Sequence, residues 1–134
     1  MACELSNQVE VFDLDRTPPI SLQNISTLPE DYMAENTVAD IHLHPNGNYV
    51  YVSNRGHNSL VTFKVLNDGR LKVIQHISTN GLTPRNFLIS KNGETLIVAN
   101  QDSDNLISFI VEGDSLMNSG IDFKLSTPVC LKEI

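Results

Sequence analysis

The 134-residue sequence predicts an all-β fold: a β-propeller fragment of about two complete four-stranded blades, plus a half blade and a C-terminal closing strand. Three observations predict it. ADIHLHPNGNYVYVSNRGHNSLVTFKV (Ala39 to Val65) lies over RNFLISKNGETLIVANQDSDNLISFIV (Arg85 to Val111) at a constant offset of 46, without a gap. Within each copy, short apolar runs alternate with turn signals such as PNGN and NDGR. No stretch of useful length carries a helical period. Four short antiparallel strands per unit, repeated every 40 to 50 residues or so, mark a propeller blade. Gapless repetition favours blades over a β-sandwich built from similar meanders.

The elements follow in order. Residues 1–28 read as a half blade, because ACELSNQVEVF aligns with SNRGHNSLVTF and ANQDSDNLISF, the three ending on Phe12, Phe63 and Phe109. This copy lacks its first half, since Met1 falls where a second strand should be ending. Residues 38–78 form a full blade: strand A about Val38 to His44, strand B about Tyr49 to Ser53, strand C about Leu60 to Val65, strand D about Leu71 to Ser78. Residues 84–125 repeat that blade. Over 127–134, TPVCLKEI aligns with TPRNFLIS, so it reads as strand A of a further blade, closing a ring. At 46 residues per unit the chain holds just under three units, whereas propellers typically need at least four. The sequence is therefore expected to be the C-terminal part of a larger propeller, with self-association through unpaired blade edges.

Composition narrows the function classes. Hydrophobic residues make up 40%, which suits a small globular core and not a disordered chain. No apolar run approaches the roughly 18 residues of a membrane helix, and no signal-peptide pattern is visible, so membrane partners are not expected. The two cysteines, Cys3 and Cys130, are too few for a disulfide framework or a zinc site, and a reduced, cytoplasmic setting is the default. A net charge of −7 with scattered bases argues against nucleic acid. The four arginines, Arg16, Arg55, Arg70 and Arg85, are few enough to read singly.

A four-stranded meander sorts its turns onto two faces. The A–B and C–D turns carry ordinary turn residues, with Arg16 and Arg70 solvated. The B–C turns and D–A connections are chemically richer. They hold Glu4 in CELSN, Arg55 and His57 in NRGHNS, Gln101, Asp102 and Asp104 in NQDSDN, and Arg85 in STNGLTPR. The repeat makes Glu4, Arg55 and Gln101 equivalent positions of neighbouring units. A carboxylate and an arginine so placed on adjacent blades suggest a site on the loop face of a rigid scaffold.

These residues also carry a resemblance. ELSNQVEVF, STLPEDYMAENTVADIHLHPNGNYVYVSNRGHNSLVTF, GLTPRNFLISKNGETLIVANQDSDNLISF and STPVCLKEI resemble the lactonase family of seven-bladed propellers. That family includes cycloisomerase-type 6-phosphogluconolactonases of the pentose phosphate pathway and the carboxy-muconate lactonizing enzymes. The resemblance covers the whole chain but only about the last third of a family member. It implies that Glu4 and Arg55 line the central cleft as catalytic groups, with Arg85, Gln101 and His57 as substrate contacts. It also implies an anionic sugar lactone as substrate, hydrolysed in the full-length protein without metal or other cofactor. The family's third catalytic group, a histidine, lies in an earlier blade, and Cys3 replaces the usual Asn before Glu4. The alternatives are a muconate-type cycloisomerase, or a non-catalytic propeller remnant acting as a binding scaffold.

Three sharper motifs are set aside. Asp40, His42 and His44 share one strand face, but the next unit places Asn86, Leu88 and Ser90 there and no further ligand is evident. Ser53, His57 and Ser59 lack a nucleophile elbow. NQDSDN lacks the Gly and terminal Glu of a calcium loop.

Overall fold

A computed structural model describes residues 1–134. It contains eleven strands and no helix. Blade 1 is a three-stranded sheet of β1 (Ala2–Cys3), β2 (Gln8–Asp13) and β3 (Ile20–Ser26). Blade 2 holds β4 (Thr37–Leu43), β5 (Tyr49–Arg55), β6 (Ser59–Val65) and β7 (Leu71–Ser78). Blade 3 holds β8 (Pro84–Ile89), β9 (Thr95–Asn100), β10 (Asn105–Glu112) and β11 (Ser115–Lys124). Every pairing is antiparallel between consecutive strands, as a meander requires.

The central strands form where β-branched and aromatic residues cluster, as in Val50-Tyr51-Val52 and Val61-Thr62-Phe63. Gly47 and Gly93 take positive φ at equivalent places of the two A–B turns. The expected half blade has its third strand as the two-residue β1, which pairs with β2 through Ala2 and Cys3.

The core lies between blades. One cluster, Val9, Val38, Val52, Val61, Phe63 and Leu71, fills the seam of blades 1 and 2. The other fills the seam of blades 2 and 3 with Tyr51 and Leu60 from one side and Phe87, Leu96, Val98, Ile107, Phe109 and Leu116 from the other. Val52, Val61 and Phe63 recur as Val98, Ile107 and Phe109, so the offset of 46 repeats a packing face as well as a sequence. Each such side chain, removed from water, contributes about 1.5–3 kcal/mol.

Polar clasps repeat across the same seams. The Gln23 side chain satisfies both backbone groups of Leu71, at 2.8 and 2.7 Å, and Gln75 does the same for Leu116, at 3.0 and 2.8 Å. Asn54 and Asn100, both fully buried, donate to the backbone oxygens of Thr27 and Thr79. Thr27 and Thr79 in turn donate to the oxygens of Asn7 and Asn58. Asn7, Asn58 and Asp104 occupy one position of the three B–C turns, and all three adopt φ between 52° and 57°.

The expected closing strand over 127–134 carries no ladder in this chain. A strand exists only through a partner, and no pairing reaches this segment. It nevertheless copies the approach to β8. Thr127 and Thr83 both have positive φ, Pro128 and Pro84 are both buried, and Leu131 N–H donates to Asn86 Oδ1 as Phe87 N–H donates to Asp40 Oδ2. The strand-A register expected from the sequence is therefore present, without the sheet.

Candidate functional site

Three blades bring their B–C turns to one face, and the backbone fixes what they present. Arg55, which the sequence assigns to a turn, is instead the last residue of β5, paired with Thr37 of β4. Only Gly56 to Asn58 make the turn. Just behind it, Asn54 makes four hydrogen bonds, to Thr27 O, Thr27 Oγ1, Ser59 Oγ and Asn36 Nδ2. Just ahead, Gly56 has φ of 117°, and a Cβ there would lie 2.3 Å from Glu35 O. The connection from Thr27 to Asn36 therefore lies directly on the Arg55 turn, and only glycine permits that approach.

The Arg55 guanidinium reaches across to blade 1, where Nη2 donates to Glu4 Oε1, and the same nitrogen donates at 3.3 Å to Val38 O of its own blade. Its side chain is 19% exposed, whereas Glu4 is 61% exposed. An ion pair with one partner so wet contributes about 1 kcal/mol or less, so another anion can displace Glu4 at small cost. Arg55 Nε is buried and has no hydrogen-bond partner. That leaves Arg55 Nε a donor which no protein atom engages.

Glu4, Arg55 and Arg85 converge with Ala39 around a cavity of about 170 Å³. Two guanidinium groups against one carboxylate leave a net positive lining. A second, wider cavity of about 670 Å³ shares Arg55 and continues over the loop connection, lined by Asn7, Glu35, Asn36, Thr37, Gly56 and Thr83. A cation at one end and a polar trough at the other can hold a small anionic, hydroxyl-rich molecule.

The other expected residues fall differently. Gln101 accepts from Arg85 Nη1 at 3.4 Å and lines neither cavity, so it touches the site only through Arg85. His57 lines neither cavity either. Its Nδ1 lies 2.7 Å from Ser59 Oγ, and its ring stacks edge-on to Tyr32 and His76. It fastens the loop connection to blade 2. Burial holds His76 below the usual histidine value; the Thr27 carbonyl bond opposes this, and His57 beside it adds to it.

The DIHLHP strand serves the blade seam. Burial alone would raise the Asp40 carboxyl, but the hydrogen bond from His42, with those from Phe87 N–H and Ile41 N–H, holds it below the usual aspartate value. Asn86 Nδ2 donates to the same carboxylate at 2.6 Å. His44 turns away, to Gly93 O and Asn46 N. No three His, Cys, Asp or Glu side chains converge as metal ligands. Sequence reasoning missed Ala39 and the polar trough. The repeat holds a signal for Ala39, since it is the blade-2 equivalent of Arg85; the trough depends on how the loop connection folds and has none.

Comparison with known proteins gives one consistent answer. A family profile described as lactonase, 7-bladed beta-propeller, matches residues 1–133. Among curated proteins, a 6-phosphogluconolactonase of Bacillus subtilis is 31% identical over 134 residues, covering 96% of this chain and 38% of its own. Among solved structures, a protein from Lactobacillus plantarum superposes with a TM-score of 0.91 at 36% identity, covering 96% of this chain and 39% of its own. A periplasmic gluconolactonase from Pseudomonas aeruginosa superposes with a TM-score of 0.90 at 31% identity, covering 96% of this chain and 37% of its own. The chain thus spans a little over a third of these relatives.

Proposed function

The chain belongs to the lactonase family of seven-bladed β-propellers, and we propose from that premise that its Glu4–Arg55–Arg85 cavity is part of a site hydrolysing a phosphorylated sugar lactone of the 6-phosphogluconolactone type. The carrying observation is the Glu4–Arg55 contact, made between blades and opening on a cavity that Arg85 also lines. It sets a carboxylate base beside a donor for oxyanions, which is what ester hydrolysis by water needs.

In this reading an anionic lactone displaces Glu4 from Arg55. The freed carboxylate takes a proton from a water molecule as its oxygen attacks the lactone carbonyl. Arg55 donates to the carbonyl oxygen as negative charge develops there. The tetrahedral adduct collapses, the ring C–O bond breaks, and the protonated Glu4 returns its proton to the departing ring oxygen. The product is the open-chain sugar acid. A six-membered ring ester is already activated, so water needs only orientation and a base.

The test is a chimera in which residues 1–134 replace the matching stretch of the Bacillus subtilis relative. It should hydrolyse 6-phosphogluconolactone, and Glu4→Gln and Arg55→Ala should each slow it by about 10²-fold or more. Hydrolysis unchanged in both variants would refute the assignment.

A further inference from the structure

One position at the start of strand A differs in each unit: Ala39 follows Val38, Arg85 follows Pro84, and Val129 follows Pro128, and the first two line the cavity. In blade 3 this residue bonds its own blade, since Arg85 Nη1 reaches Gln101 Oε1 at the position equivalent to Arg55. In blade 2 the methyl group of Ala39 cannot reach Arg55. Arg55 turns instead to Glu4 of blade 1, and the space an arginine would occupy stays open as the cavity of about 170 Å³. That is roughly five or six times the ~30 Å³ a water molecule takes up in the liquid. It suits a compact oxyanion with its residual water. The polar trough that shares Arg55 is the larger and has a single apolar lining residue, which suits a polyhydroxylated body.

We infer that Ala39 is the specificity-determining residue of this site: its small side chain keeps open an oxyanion pocket between Arg55 and Arg85 that takes the phosphate monoester of the substrate on Arg85 and one edge of Arg55, leaving Arg55 Nη2, vacated by Glu4, for the lactone carbonyl, with the rest of the sugar lying toward Asn36 and Thr37. The inference rests on the lactonase reading for the substrate's body, and on geometry alone for the phosphate. Two arginines against one exposed carboxylate give the pocket its sign, and Ala39 gives it its room. The distinction matters within the family, because the similar proteins include both a 6-phosphogluconolactonase and a gluconolactonase.

The test uses the 134-residue chain with ¹⁵N label. Inorganic phosphate is titrated while the arginine Nε–H and backbone signals are followed, with acetate as a second probe. The unmodified chain should show saturable shifts at Arg55 and Arg85 with phosphate, and weaker ones with acetate. Ala39→Val, which borrows the residue of the next unit, should weaken phosphate binding about tenfold or more by filling the pocket. Ala39→Ser, nearly the same size, should keep it. The backbone spectrum of each variant reports whether the blade is intact, and Arg85→Ala, on the pocket's far wall, gives a second route should Ala39→Val disturb β4. Phosphate binding unaffected by Ala39→Val or by Arg85→Ala would overturn the inference, as would no phosphate binding at all. In the chimera, the same valine should lower the preference for 6-phosphogluconolactone over gluconolactone. Phosphate binding that falls with Ala39→Val in a chain whose chimera hydrolyses neither lactone would leave the pocket standing and remove the lactonase reading. Hydrolysis with an unchanged preference would do the reverse.

Discussion

Replacing Asn54 by Ala should destabilise the chain far more than replacing its repeat partner Asn100. Both are fully buried and both clasp the preceding blade. Asn54 makes four hydrogen bonds, at 2.8, 2.9, 3.2 and 3.3 Å. Each of its partners keeps another one: Thr27 O has His76, Thr27 Oγ1 has Asn7 O, Ser59 Oγ has His57 and Asn36 Nδ2 has Asn7 Oδ1. The loss is therefore the net worth of four bonds at about 1 kcal/mol each, roughly 3–4 kcal/mol, with no stranded group added. Asn100 donates once, to Thr79 O, and its Oδ1 is buried without a partner: Leu82 stands where the repeat has Asn36, and the Thr79 hydroxyl donates to Asn58 O and not to Asn100. Asn100→Ala leaves the Thr79 carbonyl, in a fully buried residue, without its partner at a cost of about 1–3 kcal/mol, and removes an orphan worth about 1 kcal/mol, so its net cost is roughly 0–2 kcal/mol. For a chain of this size the difference of about 2 kcal/mol separates the two melting temperatures by about 7 °C. Thermal and urea denaturation measure both variants. Equal costs for the two would refute the view that these clasps are built unequally, and with it the account of how Arg55 is anchored.

Three further outcomes follow from the same contacts. Gly56→Ala forces an L-residue to φ of 117° and a Cβ against Glu35 O, so it should cost about 3 kcal/mol and shift the amide signals of residues 27–36; a melting temperature within about 2 °C of the unmodified chain would contradict this. Glu4→Gln removes the carboxylate that competes for Arg55, so the 134-residue chain should bind inorganic phosphate up to about fivefold more tightly, even as the chimera loses turnover; weaker binding would mean that Glu4 is needed to hold Arg55 in place. His76 is held below the ordinary histidine value of 6.5 when folded, so the unfolded chain takes up its proton first as pH falls. The contribution of His76 is therefore present above about pH 6.5 and is lost as pH drops through its lower folded value. His76→Gln should flatten that limb of a stability-against-pH curve, and an unchanged slope would refute the assignment.

The repeat makes most of the fold legible. An offset of 46 locates every strand of blades 2 and 3 to within two residues, because alternating apolar runs and Asn-Gly turns are local signals. The alignment of the first half blade, 51 residues before the second unit, puts Glu4 and Arg55 at equivalent positions of adjacent blades, where their side chains meet. What a repeat does not convey is direction. His57 reads as one more polar residue of the site turn, yet Ser59, Tyr32 and His76 draw it into the blade seam. Arg55 reads as a turn residue, yet Thr37 extends the ladder to include it. The closing segment has the sequence of a strand and even the backbone geometry of its start, but a strand is a property of two segments, and no ladder forms on 127–134. Ala39 is the least visible, since what it contributes is the volume it leaves unfilled.

The most direct test of the central claim is the rate at which the chimera hydrolyses 6-phosphogluconolactone with Arg55 intact and with Arg55→Ala, each read beside a thermal melt. Loss of about 10²-fold or more in rate at an unchanged melting temperature is the predicted result. Equal rates from the two folded proteins would contradict it, and would return Arg55 to the role of a seam residue between blades 1 and 2.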